Sequence, residues 1–238
     1  MNILQTKNMK NEQTYRFGKE EELFHQTILH ANNTPAYGLF DGEMGITLVL
    51  SEYERARKRR PIKNAINFLL DNILSNLHKN MPLDFANGLT GIGWGVEYLI
   101  QKGFQKGVGV EICEAIDAKL MAVNLRRVHD LSLETGIEGW LHYIMAHVQG
   151  AKLQRREAFE KGFLAECMDV CHQILLEGKA DKALLSLSNK MIHILKGEDT
   201  PYSFHLGQFI QEPYSEKALG LHHGISGQLY KMMEGHSL

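Results

Sequence analysis

Apolar residues recur along this chain in two patterns, and each predicts a different kind of helix. In the first they return every third or fourth position with polar residues between, as in a helix that buries one face. Residues 20–30 show it in Leu23, Phe24, Thr27 and Ile28, with acidic residues in the first turn. The stretch opened by Pro61 shows it in Ile62, Ile66, Leu69, Leu70, Ile73 and Leu77. Proline suits that start, because its missing N–H would be unpaired there anyway. Residues 110–123 repeat the theme with Ile112, Cys113, Ile116 and Leu120. Residues 152–176 read as one long helix with Phe159, Phe163, Cys167, Val170, Cys171 and Ile174 on a face.

The second pattern is apolar nearly all round and led by glycine. Gly42-Glu-Met-Gly45-Ile-Thr-Leu-Val-Leu50 is the first copy, expected to be helical over 44–58. Gly88-Leu-Thr-Gly91, Gly136-Ile-Glu-Gly139 and Gly224-Ile-Ser-Gly227 each run into a similar segment. The leading glycines stand at 42, 88, 136 and 224, giving intervals of 46, 48 and 88, and half of the last is 44. A fifth unit without the glycine signature is therefore expected near residue 180, with 183–195 as its helix. A fixed period of this length marks a repeat architecture. A helix apolar on every side must be buried on every side. Alternation of one-faced and all-round apolar helices therefore predicts an all-α fold of helix hairpins in two layers: an α/α toroid or an open solenoid. Residues 202–212 read as a further short helix, and residues 1–17 as a loose polar lead-in.

Glycine costs about 1 kcal/mol inside a helix, so its placement at four helix starts wants a reason. It allows close backbone approach or a positive φ in the preceding loop. Helix N–H groups gathered at one mouth would in addition make that end electropositive. The loops before the phrases are where a site is expected.

Composition narrows the classes. The 238 residues are 44% hydrophobic, enough for a sizeable core, and the repeat favours one domain over 18–238. A formal charge of −2 argues against a nucleic-acid partner. The basic run from Arg55 to Arg60 reads as the last turn of a helix. The first residues lack the apolar core of a signal peptide, and no apolar run approaches the roughly 18 residues of a membrane helix. Three cysteines, Cys113, Cys167 and Cys171, all on apolar stripes, suggest buried reduced thiols and a cytoplasmic protein.

At Gly220-Leu-His-His-Gly-Ile-Ser-Gly227, supported by the earlier phrases, the chain resembles the lanthionine synthetase C-like (LanC-like) family over about residues 38–233. The resemblance implies an α/α toroid, here incomplete, with about five helix hairpins against the seven of a full one. It also implies a zinc ion that activates peptide cysteine thiols for addition to dehydrated serine or threonine. In the family a Cys-His-Gly before a glycine phrase supplies two zinc ligands. Here His222 stands at the cysteine position, His223 keeps the histidine, and the family's Trp-Cys-x-Gly motif has no counterpart. Peptide modification with zinc held by His222 and His223, or a degenerate peptide-binding relative, is the expectation. His129 and His205 are the candidates to complete the shell or transfer protons, with Asp41, Asp84 and Asp130 as further loop residues.

Other residues carry alternatives. Glu43, Glu97 and Glu138 lie in or just after glycine phrases, as carboxylates favoured by helix N-termini. Asp41, Glu43, Asp84 and Glu138 are the acid and base candidates if the fold hosts a glycoside hydrolase. His142 and His147 read as core histidines of the third glycine-led helix. A non-catalytic scaffold is the remaining class, and an open repeat edge would call for a homodimer.

Overall fold

The computed structural model describes residues 18–58, 62–78 and 80–235. The lead-in over 1–17 and the residues Arg59, Arg60 and Pro61 lie outside them. Among the described residues the regular structure is helical, without strands. In chain order the helices are α1 (18–30), α2 (Glu43–Arg57), α3 (Ile62–Ser75), α4 (Leu89–Gln101) and α5 (Gly109–Ile112). There follow α6 (Glu114–Met121), α7 (Ile137–Leu153), α8 (Lys161–Glu177), α9 (Lys182–Leu195) and α10 (Ile225–Glu234). Among the described residues no helix is long and apolar enough to cross a membrane.

The chain forms two compact units: residues 1–75 with 206–238, and residues 76–205. In the first, α2 is enclosed from Glu43 to Ser51 and packs on α3 and α10. Ile62, Ile66, Leu69 and Ile73 turn the inner face of α3 to the core. Phe24 of α1 stacks on Tyr53 at 4.4 Å, and Arg57 grips the buried Glu20 with two 2.7 Å bonds. In the second unit α4, buried from Leu89 to Leu99, lies along α7. Gly93 permits this approach, because a Cβ there would stand 2.4 Å from the Tyr143 ring. The α8–α9 hairpin closes on α7 through α9.

All four glycine phrases are built alike. The residue after the leading glycine donates its N–H to the carbonyl seven positions back: Glu43 to Ala36, Leu89 to Pro82, Ile137 to Asp130 and Ile225 to Ala218, at 2.9–3.0 Å. The next position adds a hydroxyl where it can, Thr90 to the Leu83 carbonyl and Ser226 to that of Leu219. Each loop thus folds back under its own helix and satisfies the N–H groups that a helix start leaves over. The first N–H of each of these four helices is therefore already taken within its own loop. A positive φ is not the reason for glycine, since the leading glycines have φ between −121° and −105°. Space is the reason. A Cβ on Gly42, Gly88, Gly136 or Gly224 would stand 2.3–2.5 Å from loop backbone. One on Gly45, Gly139 or Gly227 would meet the loop carbonyl six residues back at 2.0–2.2 Å.

The phrases also pair, in one register. Counting from the leading glycine, the N–H groups at −3 and −2 of one phrase converge on the carbonyl at −2 of its partner. In the second unit Phe85 and Ala86 donate to Glu134, at 2.8 and 2.9 Å. In the first, Leu221 and His222 donate to Phe40, at 2.6 and 3.1 Å, so the last phrase pairs with the first.

Several segments differ from expectation. Residues 110–123 form two short helices broken at Cys113, whose φ of −95° and ψ of 4° leave the helical region. The expected long helix over 152–176 is the end of α7 and then α8. Arg155, at φ 57°, turns the chain, and Phe159 is buried in the connection. Helix α9 buries one face only, through Leu184, Ser188, Met191 and Ile192, so it lacks the all-round burial expected of a fifth glycine-led helix. The expected helix over 202–212 is instead a non-helical strap followed by a single 3-10 turn, Leu206–Phe209.

Candidate functional site

His222 is buried, with its ring stacked on Phe40 at 4.3 Å. Its Nδ1 lies 2.5 Å from the Phe209 carbonyl oxygen, so that nitrogen carries the proton and donates it. His223 is exposed, with its ring 4.2 Å from that of His222. Among the described residues no group of three or more His, Cys, Asp or Glu side chains is placed to hold a metal ion. Two neighbouring imidazoles fall short of the three protein ligands and open position of catalytic zinc, so these residues do not fit the family's ion.

The proposed helpers are not gathered with them into such a group. His129 and His205 belong to the second unit, and both are exposed. His129 lines a surface cavity of about 190 Å³ floored by Leu125, Val128, Val170 and Ile174, while His205 ends the strap. Cys113, Cys167 and Cys171 are buried free thiols, and burial pushes each pKa up, away from the reactive thiolate.

The carboxylates divide by partner. Glu43 is buried and takes two bonds from Asn72, at 2.9 and 2.8 Å. Its pKa is raised by burial, against the pull of those bonds. Asp84 is raised by burial and then by nearby Asp130. Glu138 is pushed up to about 7 by burial, with Asp181 and Glu134 adding repulsion. It occupies the position where Thr90 and Ser226 close their own loops.

Two polar arrangements inside the second unit were not legible as sites. In one, His147 of α7 places Nδ1 2.7 Å from Glu97 Oε1 and Nε2 2.8 Å from Asp117 Oδ2. Both ring nitrogens face carboxylates, which suits an imidazolium. Burial opposes that charge, but the bonds to Asp117 and Glu97 outweigh it and carry the pKa to about 9. Tyr143 donates to the second oxygen of Asp117, and Gln101 to that of Glu97. Gly109 and Gly150 make the space, since a Cβ on either would stand 2.1 Å from a Glu97 oxygen. The cluster is sealed, with His147 wholly buried, so it locks α4, α6 and α7 rather than meeting a ligand.

The other lies under the strap, residues 200–205. Tyr202 is buried and Phe204 half-buried, while Pro201, Ser203 and His205 are exposed. Gln149 of α7 takes the Tyr202 N–H at 2.6 Å and donates to the Tyr202 carbonyl at 3.1 Å. The Tyr202 hydroxyl accepts from Trp94 Nε1–H at 2.8 Å and faces His142 Nδ1 at 2.7 Å. Burial, with Lys190 nearby, holds the His142 pKa down at about 3, so the ring is neutral and one of its tautomers can accept the tyrosine proton at Nδ1. Phe204 packs against Trp94 and Tyr98 at 5.3 and 5.5 Å. Trp94 and His142 both stand six residues after their leading glycines. That shared offset was the one sequence signal that they meet.

Scanned against protein-family models, curated proteins and solved structures, the chain matches nothing.

Proposed function

We propose that the chain is a shortened, divergent LanC-like helical repeat protein that binds peptide without the family's zinc chemistry. The observation that carries this reading is the common register of the four phrases, including the pairing of the last with the first. A repeat that returns to its own start is what a toroid of helix hairpins requires. Loss of the zinc reaction is supported by the two histidines at Gly220–Gly227, of which His222 already serves to hold Phe209 and Phe40 together. A role in peptide handling then rests on the resemblance and on the bonds by which α4 and α7 already hold a non-helical segment at Tyr202.

Two measurements test it. Elemental analysis of untagged protein is expected to find zinc well below one per chain, unchanged by His223→Ala. Near-stoichiometric zinc that the substitution removes would overturn the non-catalytic reading. Panning a random peptide library, followed by calorimetry on selected sequences, is expected to give saturable binding of one peptide per chain. Selection of no sequence that binds tighter than millimolar would overturn the peptide reading.

A further inference from the structure

We infer that residues 200–205 are a built-in occupant of a peptide groove on α4 and α7, whose external ligand is a non-helical peptide carrying tyrosine followed two residues later by an aromatic. The inference rests on the peptide-binding reading above and names the ligand class and the control of that site.

The strap is held as a bound peptide is held. Its side chains alternate in and out, the period of an extended chain on a surface. Its backbone is read at one residue by both arms of a single amide, Gln149, through an N–H and a carbonyl that any residue offers. Main-chain pairing of this kind gives affinity, and side-chain pockets add selectivity. Here the selective pocket is Trp94 with His142. The indole can only donate and the neutral imidazole presents an acceptor, so one hydroxyl satisfies both. Phenylalanine in the same place would forgo both of these bonds, and sites built around a hydroxyl discriminate against its loss. The Lys190 ammonium, 5.8 Å from the centre of the Tyr202 ring, adds attraction for an aromatic face. Phe204 fills the second position, edge-on to Tyr98 and Tyr202.

A connection between α9 and Leu206 needs only length. It does not need a two-bond backbone clamp and a buried hydroxyl relay. Because the strap is tethered, its effective concentration at the groove is on the order of millimolar, and a free peptide must compete with that. The groove is therefore closed at low peptide concentration and opens to a ligand that outcompetes the strap.

The probe is the blocked heptapeptide acetyl-Asp-Thr-Pro-Tyr-Ser-Phe-His-amide, the sequence of residues 199–205. The variant is the full chain with Tyr202→Ala and Phe204→Ala, which leaves the groove walls intact. Calorimetry is expected to show the variant binding the probe at least about tenfold tighter than the wild type does. A probe with phenylalanine for tyrosine is expected to bind the variant about tenfold more weakly or worse. A folded variant that binds the probe no better than the wild type would overturn the inference, as would equal binding of the two probes. Hydrogen exchange on the wild type covers a variant that fails to fold. The Tyr202 amide is expected to exchange by local opening, with little dependence on denaturant. Exchange only through global unfolding would make the strap a fixed part of the core. Library peptides lacking the Tyr-x-aromatic pattern that bind both forms equally would leave the peptide-binding reading standing and remove this one.

Discussion

Gly139 has the Leu133 carbonyl and the Phe85 side chain so close that a Cβ would stand 2.2 and 2.3 Å from them. Neither neighbour can yield, since the carbonyl belongs to the folded-back loop and Phe85 is fully buried. Gly139→Ala should therefore destabilise the chain by about 3 kcal/mol, read from denaturant midpoints. Gly162 in the first turn of α8 is the control: nothing lies within 4 Å of its would-be Cβ. Gly162→Ala should stabilise by up to about 1 kcal/mol. Equal losses in the two variants would mean that close approach is not what the phrase glycines provide. His147 makes a different argument at the same scale. Its folded pKa of about 9 lies above its ordinary 6.5, so the folded state holds the proton more tightly. The stability this gives is fully present below pH 6.5 and is lost as pH rises through 9. His142 acts on the other side. The unfolded chain takes up its proton below 6.5 while the folded one resists until about 3, so stability is lost as pH is lowered through that window. His147→Gln should cost about 3–5 kcal/mol at neutral pH and flatten the alkaline limb of Tm against pH relative to wild type. An unchanged limb would show that the buried imidazole is not protonated.

At the scale of the element, periodicity read the all-round and one-faced helices well. The four glycine-led helices start at their phrases, and the stripe of Ile62, Ile66, Leu69 and Ile73 is the inner face of α3. Breaks inside a periodic run were not legible. Phe159 is buried in the connection between α7 and α8, so it extends the apolar stripe across a gap that carries no glycine or proline. The same holds at Cys113, a buried residue whose backbone leaves the helix while its side chain keeps the period. The strap misled for a related reason. An alternating segment that turns Tyr202 and Phe204 inward offers only two apolar positions, too few to separate period two from a helical turn. The polar arrangements lie along α4 and α7 and under the strap, rather than in the loops before the phrases where a site was expected. His142 and His147 read as core histidines, and both are buried, yet their hydrogen-bond partners come from segments between 30 and 60 residues away. Glu97 was read as a dipole-stabilised carboxylate, while its tie to His147 lies on a different helix.

For the whole molecule the consequence lies in how the chain is partitioned. The first unit is assembled from both ends of the described chain, with α10 packed on α2 and the last phrase bonded to Phe40. Removing residues 212–235 strips Leu221, Leu229 and Met233 from that core. Native-state hydrogen exchange on the truncated chain should show protection lost in α2 and retained in α4 and α7. Equal loss in all three would mean that the two units unfold as one.

This partition also dictates an order of events during synthesis. The second unit is contiguous and complete once residue 205 has left the ribosome, whereas α2 waits for a helix some 170 residues downstream. Throughout that interval a segment destined for burial on every side faces solvent. A product that stops short of α10 leaves α2 uncovered and is expected to aggregate through that helix rather than through α4 or α7.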